Sequence, residues 1–308
     1  MSNTRNLNLR YLVAILALAC LVAFIFTGSR ASAETFKCID LACDYDHTKY
    51  APQCSNQDIL RKFRAYTTCF DGHDDDDGDG VPDKLAVPHW VAYEIKRFPA
   101  VLGKGPKRPA KWITDPDLYA QGIAPSDDSY KFSKAYREAN PDSPQLGYDR
   151  GHMCMKQHAW RLGPNADWNT HTVLNACPQR SKLNQGIWLD LEDKTAKWAD
   201  KYGSVWIITG PIFNKNKPFR WLGEPGEVPV AIPDAFFKIV VRVINDKVQV
   251  LAFIYPNDDS VEEAGNNHAP YLTSVDEVEK LARLDFFAAL DDVLETELEK
   301  KKASKIWD

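Results

Sequence analysis

No Cys-x-x-Cys and no His-x-x-x-His spacing occurs in the chain, so it lacks the paired ligands of the common structural zinc sites. No internal repeat is visible, and no break in composition follows residue 60; a solenoid is excluded and one main domain is expected. The apolar run from Tyr11 to Phe26 falls short of the roughly 20 residues that a membrane-spanning helix needs. Positive charge is scarce as well. The 308 residues carry 38 basic and 43 acidic side chains, a net charge of −5. A chain of that sign does not hold polyanions by bulk attraction, so any phosphate contact has to come from a local cluster of Lys and Arg.

Hydrophobic residues make up 44% of the sequence and charged residues 26%, ordinary proportions for a chain that buries a core. The first 33 residues stand apart. Arg5 and Arg10 precede the apolar run, and Ala31-Ser32-Ala33 follows it. That is the layout of a secretory signal peptide, with an uncleaved anchor as the alternative. The expected location is secreted or periplasmic, with no stable membrane association once residues 1–33 are removed. The leader holds three arginines and no acid, so the remainder carries 35 basic and 43 acidic residues. The charge is unevenly spread. Residues 71–83 contain seven aspartates and no cation, whereas residues 96–111 contain Lys96, Arg97, Lys104, Lys107, Arg108 and Lys111 and no acid.

Cys20 leaves with the leader, and Cys38, Cys43, Cys54, Cys69, Cys154 and Cys177 remain. An even count in an exported chain favours disulfides. Pairings that keep the first four apart from the last two are preferred, with Cys154–Cys177 the leading single bond and two buried free thiols the alternative. Residues 34–70 read as a Cys-containing extension and residues 71–308 as the main domain, with an acidic insertion over 71–84. Within that insertion Asp75, Asp77, Asp79 and Asp83 follow a calcium-loop pattern around Gly80. Alternate aspartates before a turn glycine can converge hard oxygens on a structural Ca²⁺. Ala86 stands where an EF-hand would place its bidentate Glu, and a solvated acidic loop is the other reading.

Val87–Ile95, Val205–Phe213, Phe236–Ile244 and Val248–Tyr255 are apolar and rich in β-branched and aromatic residues, as strands are. The last two flank Asn245-Asp246-Lys247, a hairpin turn. Tyr148–Met155 and Thr172–Gln179 read as two paired strands joined by a loop over 156–171, in which His158 and His171 are expected at the surface. Ser181 is placed to cap a helix that runs to about Lys201 and stops at Gly203. Residues 117–147 read as a long loop. Ser274-Val-Asp-Glu277 opens a short helix as a capping box, and Leu290–Lys302 reads as a peripheral amphipathic helix.

Chemistry concentrates in Tyr148-Asp149-Arg150-Gly151-His152-Met153. An acid, a guanidinium, a glycine and an imidazole stand in four consecutive positions. Downstream come Asn175-Ala-Cys-Pro-Gln179 and Leu183-Asn184-Gln185-Gly186-Ile187-Trp188, then Leu191-Glu192-Asp193 and Thr209-Gly-Pro-Ile-Phe213. In that order these stretches resemble the DNA/RNA non-specific endonucleases, over roughly residues 85–290. The resemblance implies an α+β fold with a central, mostly antiparallel sheet, helices on its faces and a ββα-metal (His-Me) finger. It implies hydrolysis of DNA and RNA with little sequence preference, leaving 5′-phosphate ends. It assigns His152 as general base and Asn184 as the direct ligand of Mg²⁺, for which Mn²⁺ is a substitute. Glu192 would hold the metal through water, and Arg150 would bind phosphate. Asn175 and Gln179 would line the site. In some members a further arginine sits two residues before the Trp of a Trp-x-Thr-Asp-Pro segment. Ala110 occupies that place here, so Arg108 or Lys111 is expected to replace it. A same-finger phosphodiesterase for small esters and an inactive calcium-dependent binding module remain as alternatives. The sequence sets no oligomeric state.

Overall fold

A computed structural model describes residues 45–72, 84–98, 103–142 and 147–308. The leader, Cys38, Cys43 and the candidate calcium-loop residues Asp75, Asp77, Asp79 and Asp83 lie outside the described residues. Eleven strands are described: β1 Ile59–Lys62, β2 Thr67–Phe70, β3 Pro88–Lys96, β4 Tyr148–His152, β5 Ala176–Arg180, β6 Ser204–Ile212, β7 Arg220–Leu222, β8 Val230–Ile232, β9 Ala235–Ile244, β10 Lys247–Pro256 and β11 Leu272–Thr273. The helices are α1 Pro116–Ala120, α2 Lys134–Ala139, α3 Lys156–Trp160, α4 Pro164–Asn169, α5 Ser181–Gln185, α6 Ile187–Tyr202, α7 Val275–Ala282 and α8 Asp292–Lys300.

Seven strands form one sheet in the order β1-β2-β3-β6-β9-β10-β11, and every neighbouring pair is antiparallel. Its central strands are apolar on both faces because both faces are covered. Val91, Tyr93, Ile95, Phe236 and Val240 pack on one side with Ile187, Trp188 and Leu191 of α6. Trp90, Ala92, Phe237, Ile239 and Val241 pack on the other with Val275 and Val278 of α7. The α+β expectation is met, and the Asn245-Asp246 turn closes β9 onto β10 with positive φ at both residues. Ser274 caps α7 by accepting the Glu277 N–H at 3.3 Å. Among the described residues no helix is long and apolar enough to cross a membrane.

Several expectations change. Residues 59–70, read by sequence as the end of a Cys-containing extension, supply β1 and β2, and β2 pairs with β3. Cys54 and Cys69 form a disulfide that ties the segment before β1 to β2. Cys154 and Cys177, expected to be bonded, are both free and buried. The register explains it. Gly151, not Cys154, lies opposite Cys177, and Cys154 follows the end of β4, where its thiol meets the Ala65 carbonyl at 4.0 Å. The helix expected over 181–201 is two helices, α5 and α6, because Gly186 breaks it with φ −103° and ψ −117°. A Cβ on Gly186 would lie 2.5 Å from the Lys182 carbonyl oxygen, so the break needs glycine. Ser181 does not cap the helix. Its hydroxyl donates instead to the Gly147 carbonyl at 3.2 Å and to Asp149 at 3.0 Å. The loop expected over 156–171 holds α3 and α4.

Candidate active site

Strands β4 and β5 pair with Tyr148 opposite Arg180 and His152 opposite Ala176. Helices α5 and α6 follow directly, which gives a ββα unit packed against the large sheet. A cavity of about 1050 Å³ opens on this unit. One wall is the basic segment 103–108 with Lys104, Lys107 and Arg108. Another is β4 with Asp149, Arg150 and His152, and the helices add Lys156, Asn184 and Glu192. The residues expected to carry chemistry thus come together, with three exceptions. Asn175, Gln179 and Lys111 do not line the cavity.

His152 ends β4. Its ring lies 4.5 Å, centroid to centroid, from Trp112 and 5.1 Å from His171. Burial first, and then His171, Arg108, Lys156 and Arg150, hold its pKa well below the ordinary histidine value. At neutral pH the imidazole is therefore uncharged and free to accept a proton. Gly151 is required beside it, because a Cβ there would meet the Gln179 Cβ at 2.6 Å. That packing also explains why Gln179 is fully buried over the strand and away from the cavity.

Asp149 organises the neighbouring Asn184. Its carboxylate accepts the Asn184 Nδ2 at 2.9 Å, the Gln185 Nε2 at 2.8 Å and the Ser181 hydroxyl at 3.0 Å. With its nitrogen committed, the Asn184 amide keeps its oxygen as the remaining polar end. Glu192, on α6, is buried, and its carboxylate lies 3.5 Å from the Lys238 ammonium. Burial pushes the Glu192 carboxyl up to about 7 while Lys238 pulls it down. Lys238 itself projects from β9 with no exposed surface and sits 3.9 Å from the centre of the Trp188 ring. The oxygen donors Asn184 and Glu192 suit a hard divalent cation, since such ions take carboxylate and amide oxygens. A cation beside Glu192 would also favour its ionised form.

Arg150 pairs with the buried carboxylate of Asp127. Burial disfavours charge on Asp127, but the Trp112 N–H, Lys131 and Arg150 outweigh it and hold its carboxyl below the ordinary value. Asp127 so joins the basic segment to β4, because the Trp112 N–H reaches the same carboxylate at 2.9 Å. Of the two cations expected to replace the missing arginine, Arg108 lines the cavity. Lys111 instead forms an exposed ion pair with Asp128 at 3.0 Å.

Asn175 is a strut. Its Oδ1 accepts the Cys154 N–H at 2.8 Å, and its Nδ2 donates to the Cys154 and Thr170 carbonyls at 3.0 and 2.9 Å. It fixes the chain immediately after His152. Asn175→Ala leaves those three buried backbone groups unmatched and is expected to lower stability by roughly 3 kcal/mol, read by chemical denaturation. Substrate KM should stay unchanged; a raised KM at full stability would restore a substrate-facing role. His158 and His171, expected at the surface, are both buried. His158 bonds the Glu192 carbonyl at 3.0 Å and joins α3 to α6; burial, with Lys238 second, pushes its pKa down to about 3. Asp149, Asp127 and Lys238 were not singled out by sequence, although Asp149 stands inside the Asp-Arg-Gly-His stretch.

Residues 46–293 match the DNA/RNA non-specific endonuclease family. A nuclease of Serratia marcescens is 31% identical over 293 residues, covering 91% of this chain and 92% of that protein. The mitochondrial endonuclease G of Bos taurus is 27% identical over 224 residues, covering 68% of this chain and 73% of that one. Among solved structures, a crystal structure of an EndoG/EndoGI complex has a similar fold. Its TM-score is 0.55 at 22% identity, over 75% of this chain and 86% of that chain.

Proposed function

The chain belongs to the DNA/RNA non-specific endonuclease family, and on that premise we propose that it is an exported, Mg²⁺-dependent enzyme in which His152 is the general base. That it is a nucleic-acid phosphodiester hydrolase follows from the family and its nuclease relatives. The observation that carries the finer reading is the shared cavity. A neutral imidazole, two oxygen donors and the cations Arg108, Arg150 and Lys156 face one space.

In this reading His152 takes a proton from the attacking water, which general-base catalysis requires of a group uncharged at working pH. Arg150, held in place by Asp127, and Arg108 neutralise charge on the phosphate. Asp149 orients Asn184, and Lys238 backs Glu192, so both oxygen donors are fixed before a cation arrives. A divalent ion held there would act as a Lewis acid on the phosphate. Contacts to phosphate and sugar carry no base identity, which fits a weak sequence preference.

The test is cleavage of plasmid DNA, RNA and a dinucleotide ester in EDTA, Mg²⁺, Mn²⁺ or Ca²⁺. Activity on both polymers should vanish on chelation and return with Mg²⁺, and Asn184→Ala should lose that return. Undiminished cleavage in EDTA would overturn the metal reading. Cleavage of the small ester alone would overturn the polymer reading.

A further inference from the structure

Catalytic imidazoles are commonly oriented by a hydrogen bond on the nitrogen away from the substrate. His152 has no such support: its Nε2 is shielded from solvent and has no hydrogen-bond partner among the described residues. Among the described residues no carboxylate or carbonyl holds its Nε2, so packing sets the orientation of the ring. Two rings supply it. Trp112 lies 4.5 Å away at an interplanar angle of 54°. His171 lies 5.1 Å away at 86°, an edge-on contact, and Trp112 and His171 are themselves 5.7 Å apart.

His171 is an odd choice for mere filling. It is 1% exposed, does not line the cavity, and neither ring nitrogen has a hydrogen-bond partner in acceptable geometry. A buried donor left unmatched costs stability that a phenylalanine of similar shape would not. Its backbone, by contrast, is held firmly. The His171 carbonyl accepts the Ile113 N–H at 2.7 Å, and its own N–H reaches the Trp168 carbonyl at 3.1 Å. Thr172 and Ile113 form a parallel bridge. One short backbone junction therefore carries Trp112 on one side and His171 on the other, and both rings close on His152.

We propose that His171 is a positioning residue for His152, its edge-on ring fixing the plane in which the base imidazole faces the cavity. The proposal rests on the reading of His152 as base. A second imidazole this close resists charge on the first. His171 answers to its own surroundings. Burial disfavours its charge, the Trp168 carbonyl and Asp167 favour it, and Arg108 and Lys156 oppose it. On His152, burial, His171, Arg108, Lys156 and Arg150 all act in one direction. The pair is thus built to stay neutral together.

The experiment compares wild type with His171→Ala and His171→Phe, following kcat, KM for plasmid DNA, thermal melting and the NMR titration of the His152 ring. That resonance is assigned by its loss in His152→Ala. In His171→Ala kcat should fall at least tenfold, with KM changed by less than threefold. His171→Phe keeps a ring and should recover most of kcat. Its His152 resonance should titrate at higher pH than in wild type, because the opposing imidazole is gone while the packing remains. Unchanged kcat in His171→Ala, or an unmoved His152 titration in the folded His171→Phe protein, overturns the proposal. The titration needs no activity. If His152→Ala stays active, the base reading fails on its own, and the titration still reports whether the two rings are coupled.

Discussion

His152→Ala should lower kcat for DNA and RNA cleavage by about 10²–10⁴-fold, the usual share of a general base, with KM and melting temperature close to wild type. The structure gives the reason for both halves. The ring's Nε2 has no hydrogen-bond partner among the described residues, and β4 is held through its backbone pairing with β5 and through Asp149 and Arg150. What disappears is the one uncharged proton acceptor among the cations of the cavity wall. Steady-state kinetics on plasmid and RNA decide the matter. A variant within threefold of wild-type kcat would remove His152 from the reaction.

The second large effect is expected far from the cavity surface. Lys238→Met removes an ammonium that has no exposed surface and whose carboxylate partner is Glu192. Breaking a buried pair from one side typically costs 3–5 kcal/mol, because the remaining charge is left without compensation. Glu192 has one escape, which is to take up a proton. Its carboxyl is already pushed up to about 7 by burial, even with Lys238 beside it. The variant should therefore lose about 3 kcal/mol or more at pH 8, recover part of it on acidification, and show little metal-dependent cleavage throughout. The sign agrees with the wild type. Between about 4.5 and 7 the folded chain holds a proton on Glu192 that the unfolded chain has lost, so this carboxyl's contribution to stability falls as pH rises through that window. Glu192→Gln combined with Lys238→Met removes both partners and should regain stability without regaining activity. A double variant as unstable as Lys238→Met alone would show that the pair is not the cause.

These residues also mark where the sequence is informative. The strands of the sheet centre were legible because β3, β6, β9 and β10 are apolar runs bounded by turns, and Asn245-Asp246 is a turn that only a hairpin needs. His152, Arg150, Asn184 and Glu192 were singled out through the resemblance, by the order of its motifs, and all four line the cavity. Lys238 was not, since a single lysine in a strand pattern reads as facing solvent, and only the packing of α6 over β9 shows that it faces Glu192. The burial of His158 and His171 was hidden for a different reason. They belong to or follow α3 and α4, helices of five and six residues, too short for a 3.6-residue period to show. Gly186 looked like a tolerated glycine within a helical pattern, and the clash with the Lys182 carbonyl exists only once the chain has turned. Asn175 carries an amide that serves a backbone as well as it serves a ligand, and its type alone does not say which. Arg108 and Lys111 differ only in whether an aspartate stands in reach.

The two unbonded thiols Cys154 and Cys177 bear on where this protein can be made. The finger that bears His152 and Asn184 is closed by backbone pairing, the Asn175 strut and the Asp149 cluster, none of which needs an oxidant. The one bridge among the described residues, Cys54–Cys69, ties the segment before β1 to β2. Among the described residues the finger itself therefore holds no disulfide. The chain made in a reducing cytosol should therefore fold its finger as well as one made in an oxidising compartment, and nuclease assays on the two preparations would show it.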